Sequence, residues 1–203
     1  MTGENIIKSL FYITHINNVT SILSEGILSH SMVESKRVKY TPMYDISIVS
    51  NRKEKRTPNG KSLWEYANVY FQARNPMMYR VVHEKSKKDL VVIGVKPSIL
   101  NIPNSFLTDG NAASSPTQFY PPSIGMKILE KEWKIVQSEW WKEDDGSKRK
   151  IMAECLVPGS IPPENIHTVF VSDHETKERL ERVIGASRIP IVPEPNLFFQ
   201  PSS

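Results

Sequence analysis

The residue that most clearly suggests chemistry is Glu154, a lone acid between a basic run and an apolar segment. Lys148, Arg149 and Lys150 precede it, and residues 155–157 follow as a strand-like stretch. A carboxylate in such a place is costly unless it hydrogen-bonds or binds something. We therefore expect Glu154 to be catalytic; the alternative is a surface residue at the edge of a strand.

Three other polar side chains lie on separate predicted elements: His15 at the end of a strand, Arg52 in a basic loop and Tyr70 within a strand. Each has an ordinary structural alternative. His15 suits a turn, Arg52 a solvated surface and Tyr70 the core. Together with Glu154, however, these three residues are consistent with a single catalytic site.

Several familiar catalytic signatures are missing. The sequence has no glycine-rich phosphate loop, no His-Glu-x-x-His and no Gly-x-Ser-x-Gly, and its five histidines lack the spacing of metal ligands. The sequence therefore does not indicate a common hydrolase or kinase class, and we expect no metal.

Length and composition narrow the protein class. At 203 residues with 39% hydrophobic residues, the chain predicts one domain over 1–203. A net charge of +4 favours a phosphate-bearing partner as much as it fits a basic soluble protein. The single cysteine, Cys155, fits a reducing interior, and no apolar run approaches the ~20 residues that span a bilayer. We expect a cytoplasmic protein without a membrane segment.

Short alternating elements predict an α+β fold rather than a doubly wound sheet. The predicted strands are 11–15, 69–71, 90–95 and 168–171, and the predicted helices are 19–25, 76–82, 126–142 and 175–184. Asn17 or Asn18 is expected to cap the first helix, and Gly26 to end it. In the last helix, Leu180, Val183 and Ile184 are expected to face the core. Residues 35–62 are expected to be loop-rich, and the proline-rich end, 190–203, to be an extended surface tail.

Four segments occur in an order that resembles one family. They are Tyr-Ile-Thr-His-Ile-Asn-Asn at 12–18, Tyr-Phe-Gln-Ala-Arg-Asn-Pro-Met-Met-Tyr at 70–79, Thr-Asp-Gly-Asn-Ala-Ala at 108–113 and Lys-Arg-Lys to Glu at 148–154. Together they resemble the DarT family of toxin ADP-ribosyltransferases, which use NAD to modify bases in single-stranded DNA. A macrodomain-type antitoxin neutralises these toxins, so the resemblance implies such a partner.

The resemblance implies a compact ADP-ribosyltransferase domain with a split, mainly antiparallel sheet and an NAD cleft. His15 would hold the nicotinamide-side ribose, and Asn18 would shape the same pocket. Tyr70 would lie against the nicotinamide. Glu154 would be the catalytic glutamate, and Arg52 would join it and pair with the NAD diphosphate. Arg56 is the alternative for the diphosphate contact.

The resemblance also places a substrate-recognising loop at about 139–153. The residues expected to contact DNA are Arg74, Asn111, Trp141, Lys148, Arg149 and Lys150. Aromatic faces beside cations suit an unstacked base and its phosphates. Trp140 is expected to contact DNA less than Trp141, with core packing as its alternative.

A carboxylate fits this reaction because positive charge develops on the ribose as nicotinamide leaves, and because the attacking base nitrogen must lose a proton. The acceptor base stays open between thymine and guanine, with a lean to guanine. Two other functions also stay open. One is an ADP-ribosyltransferase that acts on RNA or protein, and the other is a non-catalytic nucleic-acid-binding module on the same fold.

Overall fold

The computed structural model describes residues 7–43, 46–84, 86–185 and 187–199, with the side chains of helix 46–54 described from residue 50. The strands are β1 Leu10–His15, β2 Ile27–Leu28, β3 Tyr66–Tyr70, β4 Leu90–Val95, β5 Phe106–Thr108, β6 Phe119–Tyr120, β7 Glu154–Pro158, β8 Ser160–Ile161, β9 Ile166–Val171 and β10 Ile191–Pro193. The helices are α1 Val19–Glu25, α2 His30–Lys36, α3 Ile46–Glu54, α4 Pro76–Glu84, α5 Pro122–Val136, α6 Ser147–Lys150 and α7 His174–Ile184.

The main sheet has the strand order β10-β9-β4-β1-β3-β7-β5-β6, and β2 pairs separately with β8. Its neighbours are antiparallel except β10 and β9, which are parallel. β4 lies near the centre with all six residues buried, as its continuous apolar sequence predicted. The mixed helices and mainly antiparallel sheet confirm the predicted α+β class.

The sheet is split between β1 and β3. β1 pairs with β4 along its whole length, but its register with β3 is limited to Phe11 opposite Tyr70. Beyond that position the two strands diverge, so a gap opens on the side of Thr14 and Asn68. A split of this kind creates a cleft within an otherwise continuous sheet.

Several predicted elements have different bounds from those expected. Gly26, at a φ of +85°, ends α1 as predicted, but the Asn18 side chain does not cap that helix. The segment 35–62 contains α3, so Arg52 lies on a helix rather than in a loop. The helix expected at 126–142 runs from 122 to 136, which leaves Trp140 and Trp141 in the loop beyond it.

The expectation of a surface tail at the C-terminal end is wrong for residues 191–199, and residues 200–203 of the expected tail lie outside the described residues. Residues 191–193 form β10 against β9, and Phe198 and Phe199 are both 1% exposed. Aromatic rings bury large apolar areas, which favours docking of this segment. The expected core face of α7 is also partly wrong, because Leu180 is buried while Val183 is 58% exposed.

The single cysteine is buried, and this burial changes the pKa of its thiol. Cys155 lies in β7 with no exposed surface, and this burial raises the pKa of its thiol well above the ordinary value. Among the helices that the described ranges contain, none has the length and apolar character required to cross a bilayer.

Candidate active site

Glu154 opens β7 directly opposite Tyr70 of β3, and it has no exposed surface. Arg52 of α3 donates two hydrogen bonds to its carboxylate, from Nη1 to Oε1 at 3.2 Å and from Nη2 to Oε2 at 2.8 Å. The backbone N–H of Ala112 donates to Oε1 at 2.9 Å. A buried carboxylate requires such donors and an opposite charge. The alternative of a surface residue at a strand edge is therefore wrong for Glu154.

Thr108, the last residue of β5, fixes the backbone of Glu154. Its hydroxyl accepts the N–H of Glu154 at 2.9 Å and donates to the carbonyl of Gly110 at 2.6 Å. One buried side chain thus ties the start of β7 to the loop that supplies the Ala112 N–H.

A cleft of two adjoining cavities lies where β1 and β3 diverge. The residues lining both cavities are Tyr12, Thr14, Asn18, His30, Val33, Tyr40 and Asn68. The second cavity extends to Arg52, Trp64, Tyr70 and Met77. Because Arg52 lines the cleft and also binds Glu154, it stands between the cleft and the buried carboxylate.

The cleft has both apolar and polar side chains in its lining, and several of its titratable groups are uncharged at neutral pH. Burial and the charge of Arg52 lower the pKa of His30, whose ring stacks on Trp64 with centroids 4.2 Å apart. Burial and the charge of Glu154 raise the pKa of Tyr70 far above its ordinary value. Burial raises the pKa of Tyr12 to about 12. At neutral pH the cleft therefore offers an imidazole and phenols without charge.

The predicted cofactor residues occupy different positions relative to this cleft. Asn18 lines both cavities, and its side-chain amide binds the backbone of Thr41. Asn18 Nδ2 donates to the Thr41 carbonyl at 2.9 Å, and Asn18 Oδ1 accepts the Thr41 N–H at 2.7 Å. His15 is half-buried at the end of β1, where Nδ1 accepts the N–H of Asn17 at 3.1 Å. His15 is not among the described residues that line the two cavities. Arg52 lies in the cleft wall while Arg56 is exposed, which favours Arg52 of the two arginines.

The three basic residues before Glu154 each bind an acid of the protein itself. Their ion pairs are Lys148 with Glu143 at 2.8 Å, Arg149 with Asp109 at 2.8 Å and Lys150 with Glu132 at 2.8 Å. Asn111 lies one residue before the amide that binds Glu154, with its Nδ2 3.7 Å from the sulfur of Met152. The fold thus brings Asn111 to the active site and turns Arg149 inward. Contact of these four residues with DNA stays a prediction.

A second group of side chains forms an aromatic platform, defined by Arg74, Tyr79, Trp140 and Phe199, in which Trp140 is the exposed ring and Phe199 lies buried beneath it. The Arg74 guanidinium carbon is 4.6 Å from the ring centroid of Phe199 and 5.6 Å from that of Trp140. Trp140 is 58% exposed, and its ring lies 6.3 Å from Tyr79. Trp141 instead packs edge-on against Tyr79 at 5.6 Å. Trp140, given less weight than Trp141 from the sequence, is thus the more accessible ring.

Other site residues gave no sequence signal. His30 and Trp64 come together only because α2 packs on the turn before β3, and neither belongs to a recognisable motif. Within the described ranges, no cluster of three or more His, Cys, Asp or Glu side chains is arranged to bind a metal ion.

Comparison with known proteins agrees with this geometry. The model of the family described as "ssDNA thymidine ADP-ribosyltransferase, DarT" matches residues 11–199. This chain belongs to the DarT family. The match confirms the family predicted from the sequence.

Two DarT relatives illustrate the range of similarity. A DNA ADP-ribosyl transferase–DNA ADP-ribosyl glycohydrolase fusion protein of Thermosipho africanus is 47% identical over 96% of this chain and 50% of its own length. The chain thus spans about half the length of that relative. A DNA ADP-ribosyl transferase of Thermus sp. is 24% identical over 86% of each chain.

Solved DarT structures share the fold. The Thermosipho africanus DarTG complex with ADP-ribose superposes with a TM-score of 0.89 at 47% identity, covering 96% of this chain and 52% of that one. Thermus sp. 2.9 DarT with ADP-ribosylated ssDNA gives a TM-score of 0.80 at 20% identity, covering 95% and 97%. These similarities confirm the predicted ADP-ribosyltransferase-like fold.

Proposed function

We propose that this protein transfers ADP-ribose from NAD to a nucleobase of single-stranded DNA. The observation that carries the proposal is the buried Glu154 carboxylate, held by Arg52 and the Ala112 N–H beside a cleft in a DarT-family chain. Thermus sp. 2.9 DarT has been solved with NAD+ and with ADP-ribosylated ssDNA, which supports both substrates.

The side chains that line the cleft support a dinucleotide as its ligand. Hydroxyl and amide side chains of Thr14, Asn18 and Asn68 suit ribose hydroxyl groups, and the Arg52 guanidinium suits a diphosphate or a carboxamide. Tyr70 offers a ring face at the same end of the cleft. His15, at the end of β1, is proposed to hold the nicotinamide-side ribose. NAD supplies the activated ribose that is transferred.

Glu154 serves two needs of this reaction. As the bond between ribose and nicotinamide breaks, positive charge develops on the ribose carbon, and the carboxylate stabilises that charge in the transition state. As the bond from the base nitrogen to this carbon forms, Glu154 accepts the proton that the nitrogen loses. Because Arg52 stands between the cleft and Glu154, it must yield access to a carboxylate oxygen during turnover.

The aromatic platform supports a nucleic-acid substrate. Its exposed indole can stack on any base, and Arg74 places positive charge beside it. Trp141 packs beside Tyr79 of the platform, and it shares an apolar cluster with Tyr70 of the cleft. The platform thus lies on the same apolar cluster as the wall of the cleft.

The acceptor base is proposed to be thymine or guanine. The family description names thymidine, whereas the sequence expectation leans to guanine. A macrodomain-type antitoxin that removes the ADP-ribose is the proposed partner, as the fusion of transferase and glycohydrolase in the Thermosipho africanus relative supports.

The test is incubation with NAD and four single-stranded oligonucleotides, each rich in one base, followed by intact-mass analysis. We expect a gain of one ADP-ribose on the thymine-rich or guanine-rich strand. Glu154→Gln should abolish this gain while NAD still binds, and Glu178→Gln, at an exposed glutamate of α7, should retain it. Modification of RNA or protein but of no DNA would contradict the proposed substrate, and a fully active Glu154→Gln would contradict the mechanism.

A further inference from the structure

Arg149 lies on α6, five residues before Glu154, and its guanidinium is turned toward the loop between β5 and β6, residues 109–118. Its Nη1 donates to Asp109 Oδ1 at 2.8 Å, to the Asp109 carbonyl at 3.1 Å and to Thr117 Oγ1 at 3.2 Å. The Arg149 and Asp109 side chains are each 20% exposed, whereas those of Lys148 and Glu143 are 48% and 74% exposed. Arg149 thus binds both ends of the loop.

The loop backbone is clamped directly onto Arg149. Asn111 donates its N–H to the Arg149 carbonyl at 3.1 Å. A Cβ at Gly110 would lie 2.4 Å from Arg149 Nη1 and 2.9 Å from the Arg149 carbonyl oxygen. The two segments therefore approach so closely that only glycine fits at position 110 without movement.

Ala112, the residue that follows Asn111 in the loop, contacts the candidate catalytic residue. Ala112 is fully buried, and its N–H donates to Glu154 Oε1 at 2.9 Å. Thr108 joins the Glu154 backbone to Gly110 on the other side of the loop. A short chain of contacts therefore leads from Arg149 through Asp109, Gly110 and Asn111 to the carboxylate.

We infer that Arg149 is a positioning residue, and we call its pairing with Asp109 the loop latch. The latch holds the Ala112 N–H where it fixes one oxygen of Glu154, so that the carboxylate is oriented before substrate binds. Arg149 therefore acts through the loop rather than on a DNA phosphate. This inference rests on the proposed function of Glu154.

The test compares steady-state kinetics of the wild type with Arg149→Met, Arg149→Lys and Asp109→Asn. We expect kcat for DNA modification to fall about tenfold or more in Arg149→Met and Asp109→Asn, since small displacements of catalytic groups cost that much. KM for NAD and for the oligonucleotide, and the salt dependence of the latter, should stay within twofold of the wild type. Arg149→Lys should recover part of kcat because its ammonium group can reach Asp109.

Arg179→Met is the matched control. It removes an arginine–aspartate pair of similar length, Arg179 with Asp89 at 2.7 Å, which joins α7 to the start of β4. Its kcat should stay at the wild-type value even if its melting temperature falls as much as that of Arg149→Met. This comparison separates positioning from general loss of stability.

Two results would overturn the inference while the wild type modifies DNA. One is an unchanged kcat in Arg149→Met. The other is a raised KM for DNA with a salt slope reduced by about 1, which marks a lost phosphate contact. A wild type that modifies none of the four oligonucleotides would overturn the proposed function and the latch together. Wild-type activity thus distinguishes the two failures.

Discussion

The guanidinium of Arg52 binds both carboxylate oxygens of Glu154, although the two residues are 102 positions apart in sequence. Arg52 comes from α3 and Glu154 from the first position of β7. The pair is largely sequestered, with side chains 14% and 0% exposed. This pairing links α3 to the start of β7 beside the cleft, so the stability of the candidate site depends on it.

Removal of one member of this pair should destabilise the protein. Arg52→Met leaves the Glu154 charge buried without its partner, and we expect a loss of about 3–5 kcal/mol in the free energy of unfolding. The double variant Arg52→Met/Glu154→Gln should lose less, because the uncompensated charge is gone. Urea unfolding of the wild type, of Arg52→Met and of the double variant measures this difference in the free energy of unfolding. Equal losses in Arg52→Met and the double variant would contradict a buried charge pair.

The exposed ring of the aromatic platform should contribute to DNA binding. Trp140→Ala should weaken binding of a single-stranded oligonucleotide by about 1–3 kcal/mol, the usual value of one stacked base. Fluorescence anisotropy of a labelled oligonucleotide measures the Kd, and NAD affinity should not change. The control is Ile124→Ala, at an apolar residue 51% exposed on α5. Equal DNA affinity of Trp140→Ala and wild type would exclude stacking on this ring.

His30 should make stability depend on pH. Its folded-state pKa is lowered by burial and by Arg52, so the unfolded chain binds a proton at higher pH than the folded protein does. The stability that neutral His30 contributes is therefore complete above its ordinary pKa of 6.5, and it is lost as pH falls from there through the lowered value.

The measurement is urea unfolding at about pH 7.5 and pH 5. His30→Gln should lose less stability between these values than the wild type. The pKa of His167 is also lowered, so the stability of His30→Gln should still fall with falling pH, although less than that of the wild type. His174→Gln, at an exposed histidine, serves as the control. An unchanged pH slope in His30→Gln would show that His30 does not cause it.

The C-terminal segment should be essential for stability. Phe199→Ala removes a ring that is 1% exposed and contacts Tyr79 and Trp141, and we expect a loss of about 3–5 kcal/mol. Val192→Ala, in the same segment but 36% exposed, should cost much less. Thermal and urea unfolding measure both variants. Similar small losses in the two would indicate that the segment is a loosely attached tail.

Local sequence was sufficient for the elements with strong patterns. Examples are the continuous apolar run of β4, the glycine that ends α1 and the proline that opens α4. Each of them depends on residues adjacent in the sequence. The family motifs also pointed to Glu154, Asn18 and Tyr70, which lie within them, and spacing back from Tyr70 pointed to Arg52, with Arg56 as the alternative. All four are found at or beside the cleft.

The sequence alone could not show what each polar side chain binds. Lys148, Arg149 and Lys150 resemble a phosphate-binding run, yet each of them pairs with an acid, and the acids that bind Arg149 and Lys150 lie 40 and 18 positions away in the chain. In the same way, the gap between β1 and β3 arises from strand divergence, which no local pattern encodes. Partner choice depends on residues far apart in sequence, so only tertiary structure decided it.

The sequence by itself thus determined the family and the α+β class and singled out Glu154 as the candidate catalytic residue, because short motifs and apolar patterns carry that information locally. Tertiary structure decided that Trp140 is exposed, that Phe198 and Phe199 are core residues and that Arg149 holds a loop. These outcomes follow from long-range packing, in which each side chain is buried or paired according to neighbours that the linear order does not reveal.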